Sequence, residues 1–204
     1  MKLMIPALVA LATAGVAGAG ELYDNGPPTY ADGNEMTQWT QAEDFMLDAG
    51  YTLGSVKFSM LTFNELINWD GSLDWWIYTD AGGSPGSIYA SGSAQNVNPV
   101  FDQTVGSWDF YDFTFDFGGG GVAVDANTTY WLALHAAADW SARDDLYWSA
   151  SAANGSLIGH EDYMNQGNWA SNGNQHSFQL YEIPAPGALA LLGLAGLAGT
   201  RRRR

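Results

Sequence analysis

The side chains with chemistry to offer are three acidic loops, a surplus of tryptophan and three well-separated histidines. Asn68-Trp69-Asp70-Gly71-Ser72-Leu73-Asp74 gathers oxygen ligands around a glycine turn. Asp139, Asp144 and Asp145 make a second acidic loop, and Asp24 with Asn25 a third. Clustered carboxylates suit hard divalent ions, so Asp70, Asp74, Asp139, Asp144 and Asp145 are the candidate ligands of a structural calcium. The first loop lacks the alternating ligands and distal glutamate of an EF-hand. The same acids also read as a solubilising surface or an adaptation to saline surroundings.

The nine tryptophans divide by their surroundings. Trp75, Trp131 and Trp148 lie in strand-like runs and read as core. Trp69, Trp140 and Trp169 sit among Asn, Asp, Gly and Ser, the composition of loops. A large aromatic face beside carboxylates and amides can hold a sugar: the ring covers the C–H face and the polar groups take the hydroxyls. Trp69, Trp140 and Trp169 are therefore candidate glycan contacts, with Trp76 and Tyr78 as a second platform on the same strand face as Asp74. The competing reading is that these rings cap the ends of the fold.

Catalytic signals are thin. Gly82-Gly-Ser84-Pro-Gly86 matches G-x-S-x-G, the nucleophile elbow of α/β hydrolases. An oxyanion hole needs the N–H of the residue after the nucleophile, and Pro85 has none. A β-turn explains the motif better. His160-Glu-Asp-Tyr-Met164 begins like a zinc-binding H-E-x-x-H and lacks the second histidine. His135, His160 and His176 read as hydrogen-bonded or solvated side chains. Paired glycosidase carboxylates must lie roughly 5–10 Å apart, a distance that spacing along the chain cannot reveal. Thr128-Thr129 alone does not make the flat threonine array expected of an ice-binding surface.

The elements positioning these residues are strands. Tyr111-Asp-Phe-Thr-Phe-Asp-Phe117 alternates without a break and puts four rings on one face. Leu73, Trp75 and Ile77 share one face of a second strand, and Asp74, Trp76 and Tyr78 the other. Thr129–His135 is a third, with Tyr130, Leu132 and Leu134 together. Weaker strands are predicted at 45–47, 53–61, 87–93, 145–150 and 176–181. Gly/Asn/Asp turns at 70–71, 81–86, 118–121, 125–127 and 172–174 separate them. Many short strands without a convincing helix between residues 20 and 182 predict an all-β fold: a single antiparallel β-sandwich, jelly-roll-like.

Both ends read as addresses. Lys2, the apolar run Leu3 to Val16, and Ala17-Gly18-Ala19 form a signal-peptide pattern with cleavage after Ala19. At the other end, Pro184-Ala185-Pro186-Gly187 leads into an uncharged Gly/Ala/Leu stretch that ends in Arg201, Arg202, Arg203 and Arg204. As a helix, the stretch from Ala188 to Gly199 would cover about 18 Å at about 1.5 Å per residue. A hydrocarbon core is about 30 Å thick. The arginines would stay cytoplasmic.

Those three parts in order resemble the PEP-CTERM sorting signal read by exosortase-type membrane enzymes, with Ala185 where the usual motif has Glu. The resemblance implies an exosortase-type processing enzyme and the general secretion machinery as partners. It also implies transient membrane insertion through a C-terminal helix and delivery to the surface or extracellular matrix of a Gram-negative-type bacterium. Tyr23-Asp-Asn-Gly26, Ala42-Glu-Asp-Phe45, Thr129-Tyr-Trp131 and Phe178-Gln-Leu180 also resemble domains found upstream of such tails. No catalytic residue comes with that likeness.

The expected organisation is a signal peptide at 1–19, a sandwich domain at 20–182 and a sorting signal at 183–204. The chain has 22 acids against 7 Lys and Arg, a net of −15, and no cysteine. Lys2 and the four terminal arginines lie in the two signals. Only Lys57 and Arg143 then remain against all 22 acids, a net of about −20 for the domain. Such a surface repels nucleic acid, so none is expected as a partner. The expectation is an exported, non-enzymatic surface or matrix protein. The alternatives are an exopolysaccharide-binding module using loop tryptophans and a glycan-active hydrolase.

Overall fold

The computed structural model describes residues 20–63 and 65–183. The cleavage residues Ala17 and Ala19, and the sorting residues from Pro184 to Arg204, lie outside them. The described residues contain fifteen strands and no helix. These are β1 (Glu21–Asp24), β2 (Pro28–Glu35), β3 (Trp39–Met46), β4 (Tyr51–Thr62), β5 (Asp74–Asp80) and β6 (Pro85–Ser93). The chain continues through β7 (Gln95–Val105), β8 (Trp108–Asp116), β9 (Val122–Val124), β10 (Thr129–His135) and β11 (Leu146–Ser151). It closes with β12 (His160–Tyr163), β13 (Ala170–Ser171), β14 (Gln175–His176) and β15 (Phe178–Glu182).

Two antiparallel sheets result, so the all-β, sandwich-like expectation holds. The larger has nine strands with β4 as its hub. One side of β4 pairs with β9 and then β8, with β7 beyond; the other pairs with β15 and then β11. β1 borders β15, while β2 and β14 border β11. The smaller sheet runs β13-β12-β3-β10-β5-β6.

Alternation decides which face is buried. Val56, Phe58 and Met60 of β4 stand opposite Phe115, Phe113 and Tyr111 of β8, which puts one apolar row against the other sheet. The smaller sheet answers with Phe45, Trp75, Ile77, Tyr130, Leu132 and Leu134. Trp75 meets Phe117 edge-on at 4.8 Å, and Tyr23 meets Phe45 at 6.2 Å, joining the layers. Burying each such ring contributes about 1.5–3 kcal/mol.

β7 departs from the expectation. Gln95–Val105 shows no alternation, yet it pairs with β8 along most of its length. Its residues are almost all exposed, and Pro99 sits within it. An edge strand tolerates a proline because its outward N–H has no partner to lose. The Gly82–Gly86 motif is a hairpin turn, as expected: Ala81 N–H donates to the Ser84 carbonyl at 2.8 Å, and Asp80 accepts from the Gly82 and Gly83 amides.

Candidate functional site

The outer face of the six-stranded sheet carries a second aromatic cluster, built by strand register. Tyr78 lies opposite Trp131, and Trp76 opposite Ala133, in the β5–β10 pair. Ala133 in turn faces Ala42 of β3. The two alanines leave a low floor between the rings, and Trp76 and Trp169, both half-buried, pack against this group. Trp169 meets Tyr78 edge-on with ring centroids 5.2 Å apart.

Loops carry polar groups to its rim. Tyr78 Oη donates to Asn165 Oδ1 at 3.2 Å. Burial first, and the charge of Asp162 second, push its phenol up to about 12, so it remains a donor at neutral pH. Asp162 is buried and accepts from the Gly167 and Asn168 amides at 2.6 and 3.0 Å, which fixes the loop that presents Asn165 and Trp169. Trp131 Nε1 donates to Asp80 Oδ1 at 3.0 Å. Burial works to raise the Asp80 carboxyl, but that bond and the Gly83 and Gly82 amides outweigh it and hold the group below its ordinary value.

Of the predicted contacts, Trp76, Tyr78 and Trp169 thus come together, while Trp69 and Trp140 lie elsewhere. Trp69 Nε1 donates to the Ser72 carbonyl at 3.0 Å and its ring meets Phe113 edge-on at 5.0 Å. Trp140 stacks on His135, centroids 3.6 Å apart. Trp69 packs against the main core, whereas Trp140 covers the buried His135. Trp75, Trp131 and Trp148 are buried as expected, but Trp131 belongs to the outer cluster rather than the space between the sheets.

The predicted calcium ligands serve their own loops. Asp70 accepts from the Ser72 and Ala138 amides at 2.7 and 2.8 Å, and Asp139 from the Ser141 amide at 2.7 Å. Asp74 accepts from Ser93 Oγ, and Asp145 from Tyr147 Oη beside Arg143. Asp144 contributes backbone contacts to Thr37 and Asn68. Among the described residues, no three His, Asp or Glu side chains gather as a metal site would require. His135 bonds the Thr37 carbonyl and His160 the Ile158 carbonyl, so each has a local partner.

A second polar group, which strand patterns did not disclose, lies inside one end of the sandwich. Gln41 and Glu43 of β3 share the inward face with Phe45, and both are buried. Glu43 Oε2 lies 2.9 Å from His176 Nδ1 and accepts the His176 backbone N–H at 2.9 Å. His176 Nε2 lies 3.2 Å from Asn34 Oδ1. Burial pushes Glu43 up to about 9 and His176 down to about 3, so both are neutral at pH 7. In the matching neutral forms Glu43 Oε2–H donates to Nδ1 and Nε2–H donates to Asn34, while Glu43 Oε1 is buried without a partner.

The chain matches no protein-family model, no curated protein and no solved structure.

Proposed function

We propose that this is an exported, non-enzymatic sandwich protein of the bacterial surface or extracellular matrix that holds exopolysaccharide on Trp76 and Trp169, with the buried Tyr78 as their support. The carrying observation is that the strand pair β5–β10 and the 162–169 loop bring Trp76 and Trp169 to one outward face over the buried Tyr78, with Asn165 and Asp80 beside them. Flat rings beside an amide and a carboxylate meet the two faces of a sugar residue. The jelly-roll connectivity expected from the strand pattern is supported by neighbours distant in sequence, β1 with β15 and β3 with β10.

Delivery is argued from the two ends of the sequence: the signal-peptide pattern at 1–19 and the PEP-CTERM-like tail at 183–204. The processing partners are the secretion machinery and an exosortase-type enzyme. Mass spectrometry of the protein from its host should find new ends near Gly20 and near the Pro184-Ala185-Pro186 motif; an intact tail would sink this route.

For the ligand, the full chain is probed on an array of bacterial polysaccharides. Binding should fall on the order of tenfold in Trp76→Ala and in Trp169→Ala, as loss of a stacking face of about 1–1.5 kcal/mol predicts. Trp69→Ala and Trp140→Ala should leave it unchanged. A flat array response, or equal loss in all four variants, would overturn the platform reading.

A further inference from the structure

The outer face of the nine-stranded sheet holds a cleft of about 240 Å³ on the side of the domain away from the aromatic platform. Its floor follows from strand alternation. Val56, Phe58 and Met60 turn into the core, so Lys57 and Ser59 of β4 turn outward. In register beside them stand Gln179 of β15, opposite Lys57, and Asp112 of β8, opposite Ser59. Asp24, Tyr30 and Asp102 complete the wall.

Charge in the cleft is unbalanced. Lys57 Nζ lies 2.8 Å from Asp112 Oδ2, which uses the single cation among its lining residues. Asp24 and Asp102 then have no cation of their own there. Asp102 accepts Tyr30 Oη at 2.8 Å, and Asp24 accepts the Gly26 amide at 2.8 Å and Gln179 Nε2 at 3.3 Å; a carboxylate has about four acceptor positions, so both are held in place with capacity to spare. Tyr30 is fixed twice, by that bond and by edge contact with Phe110 at 5.0 Å.

Ser59 supplies the independent sign of a ligand. It is 3% exposed, its Oγ has no hydrogen-bond partner, and it lines the cleft on the outward face. A buried hydroxyl without a partner costs about 1–3 kcal/mol, and an arriving polar group would recover it. We infer that this cleft binds a small polyhydroxylated ring carrying a protonated amine, the chemistry of a non-acetylated amino-sugar residue. The ammonium answers Asp24 and Asp102, a ring hydroxyl answers Ser59, and the volume, below that of drug-sized pockets, suits one ring. This site stands apart from the platform and does not depend on it.

The test is amide NMR titration of the full chain with D-glucosamine and its β-1,4-linked trimer, with N-acetylglucosamine, glucose and ethanolamine as comparators. Glucosamine units should shift Lys57, Ser59, Asp112 and Gln179 saturably, with N-acetylglucosamine, glucose and ethanolamine on the order of tenfold weaker. A stronger response to the trimer would identify a polymer as the source; an equal response would identify the free sugar. Ser59→Ala should hold or raise the thermal midpoint, because it removes a costly unpartnered hydroxyl, and should weaken glucosamine binding. Asp102→Asn should weaken glucosamine more than glucose, and Trp76→Ala should change neither. No saturable shift with either glucosamine probe would overturn the proposal. So would equal binding of glucose, equal binding of ethanolamine, or an unaltered response in Ser59→Ala and Asp102→Asn together.

Discussion

Glu43 and His176, 133 residues apart in the chain, meet at 2.9 Å with no exposure on either side chain. Both belong to the interior end of the sandwich, where a polar pair must be fully bonded or costly. His176 also lies against Trp148, ring centroids 4.8 Å apart, so the pair is packed as well as bonded. It ties β3 of one sheet to β14 of the other.

Stability should therefore fall as pH rises above neutrality. Glu43 is raised from 4.5 to about 9, so its contribution is complete below pH 4.5 and is lost as pH climbs through 9. His176 is lowered from 6.5 to about 3, so its contribution is complete above pH 6.5 and is lost as pH falls through 3. Between pH 6.5 and 9 only the Glu43 loss operates. The thermal midpoint should drop steadily across that window, and Glu43→Gln should flatten the drop. A midpoint level from pH 6.5 to 9 in the parent protein would refute the neutral pair.

Gly159 packs beside that pair. A Cβ there would stand 2.8 Å from Glu43 Oε2, from His176 Cε1 and from the Asn174 carbonyl oxygen. One of these contacts is backbone and the other two belong to fully buried side chains, so none can move aside freely. Gly159→Ala should destabilise by about 1–3 kcal/mol, read by urea unfolding. Gly71→Ala is the contrast: its Cβ meets nothing within 4 Å, and only the positive φ of 94° opposes it. Its cost should be about 1 kcal/mol.

Trp131→Phe separates packing from the hydrogen bond to Asp80. Phenylalanine keeps most of the buried ring and removes the Nε1 donor. The expected loss is about 1–2 kcal/mol, and the Asp80 carboxyl should titrate higher by NMR because one of the bonds that lowers it is gone. An unchanged Asp80 titration would show that the Gly82 and Gly83 amides suffice.

Calcium has a direct readout. Asp70, Asp139 and Asp145 each already accept a local hydrogen bond, and the described carboxylates do not converge. Equal thermal midpoints in calcium and in chelator would leave these acids as loop-fixing groups alone. A rise with calcium would reassign these loops to an ion, since a ligand bound only by the folded state stabilises it.

Local pattern was enough for the strands that bury one face. Thr129–His135 is predicted and observed with the same bounds, and Tyr111 to Phe117 presents its rings to the core as its alternation requires. Those signals are legible because a period of two is written within a few consecutive residues. β7 is illegible for the converse reason: eight of its eleven residues are exposed, so Gln95–Val105 has no sustained apolar period to read. Trp131 shows an intermediate case. Its burial could be read from its strand, but the cluster it joins depends on a loop folding over the outer face.

The chemistry-bearing groupings belong to tertiary structure. Trp69 and Trp140 look like Trp169 in composition, yet Trp69 packs on the main core, Trp140 on His135 and Trp169 on Tyr78, because the loops that hold them start from different strands. Lys57, Ser59 and Asp112 share a cleft because β4 and β8 pair in one register; a shift of one residue would turn that row inward. Composition and periodicity, being properties of neighbours along the chain, are enough to specify a strand-built, acidic, cysteine-free domain between two apolar terminal stretches. Only the fold decided that Glu43 would meet His176 and Tyr78 would meet Trp169, because strand order and register place side chains that chain distance keeps apart.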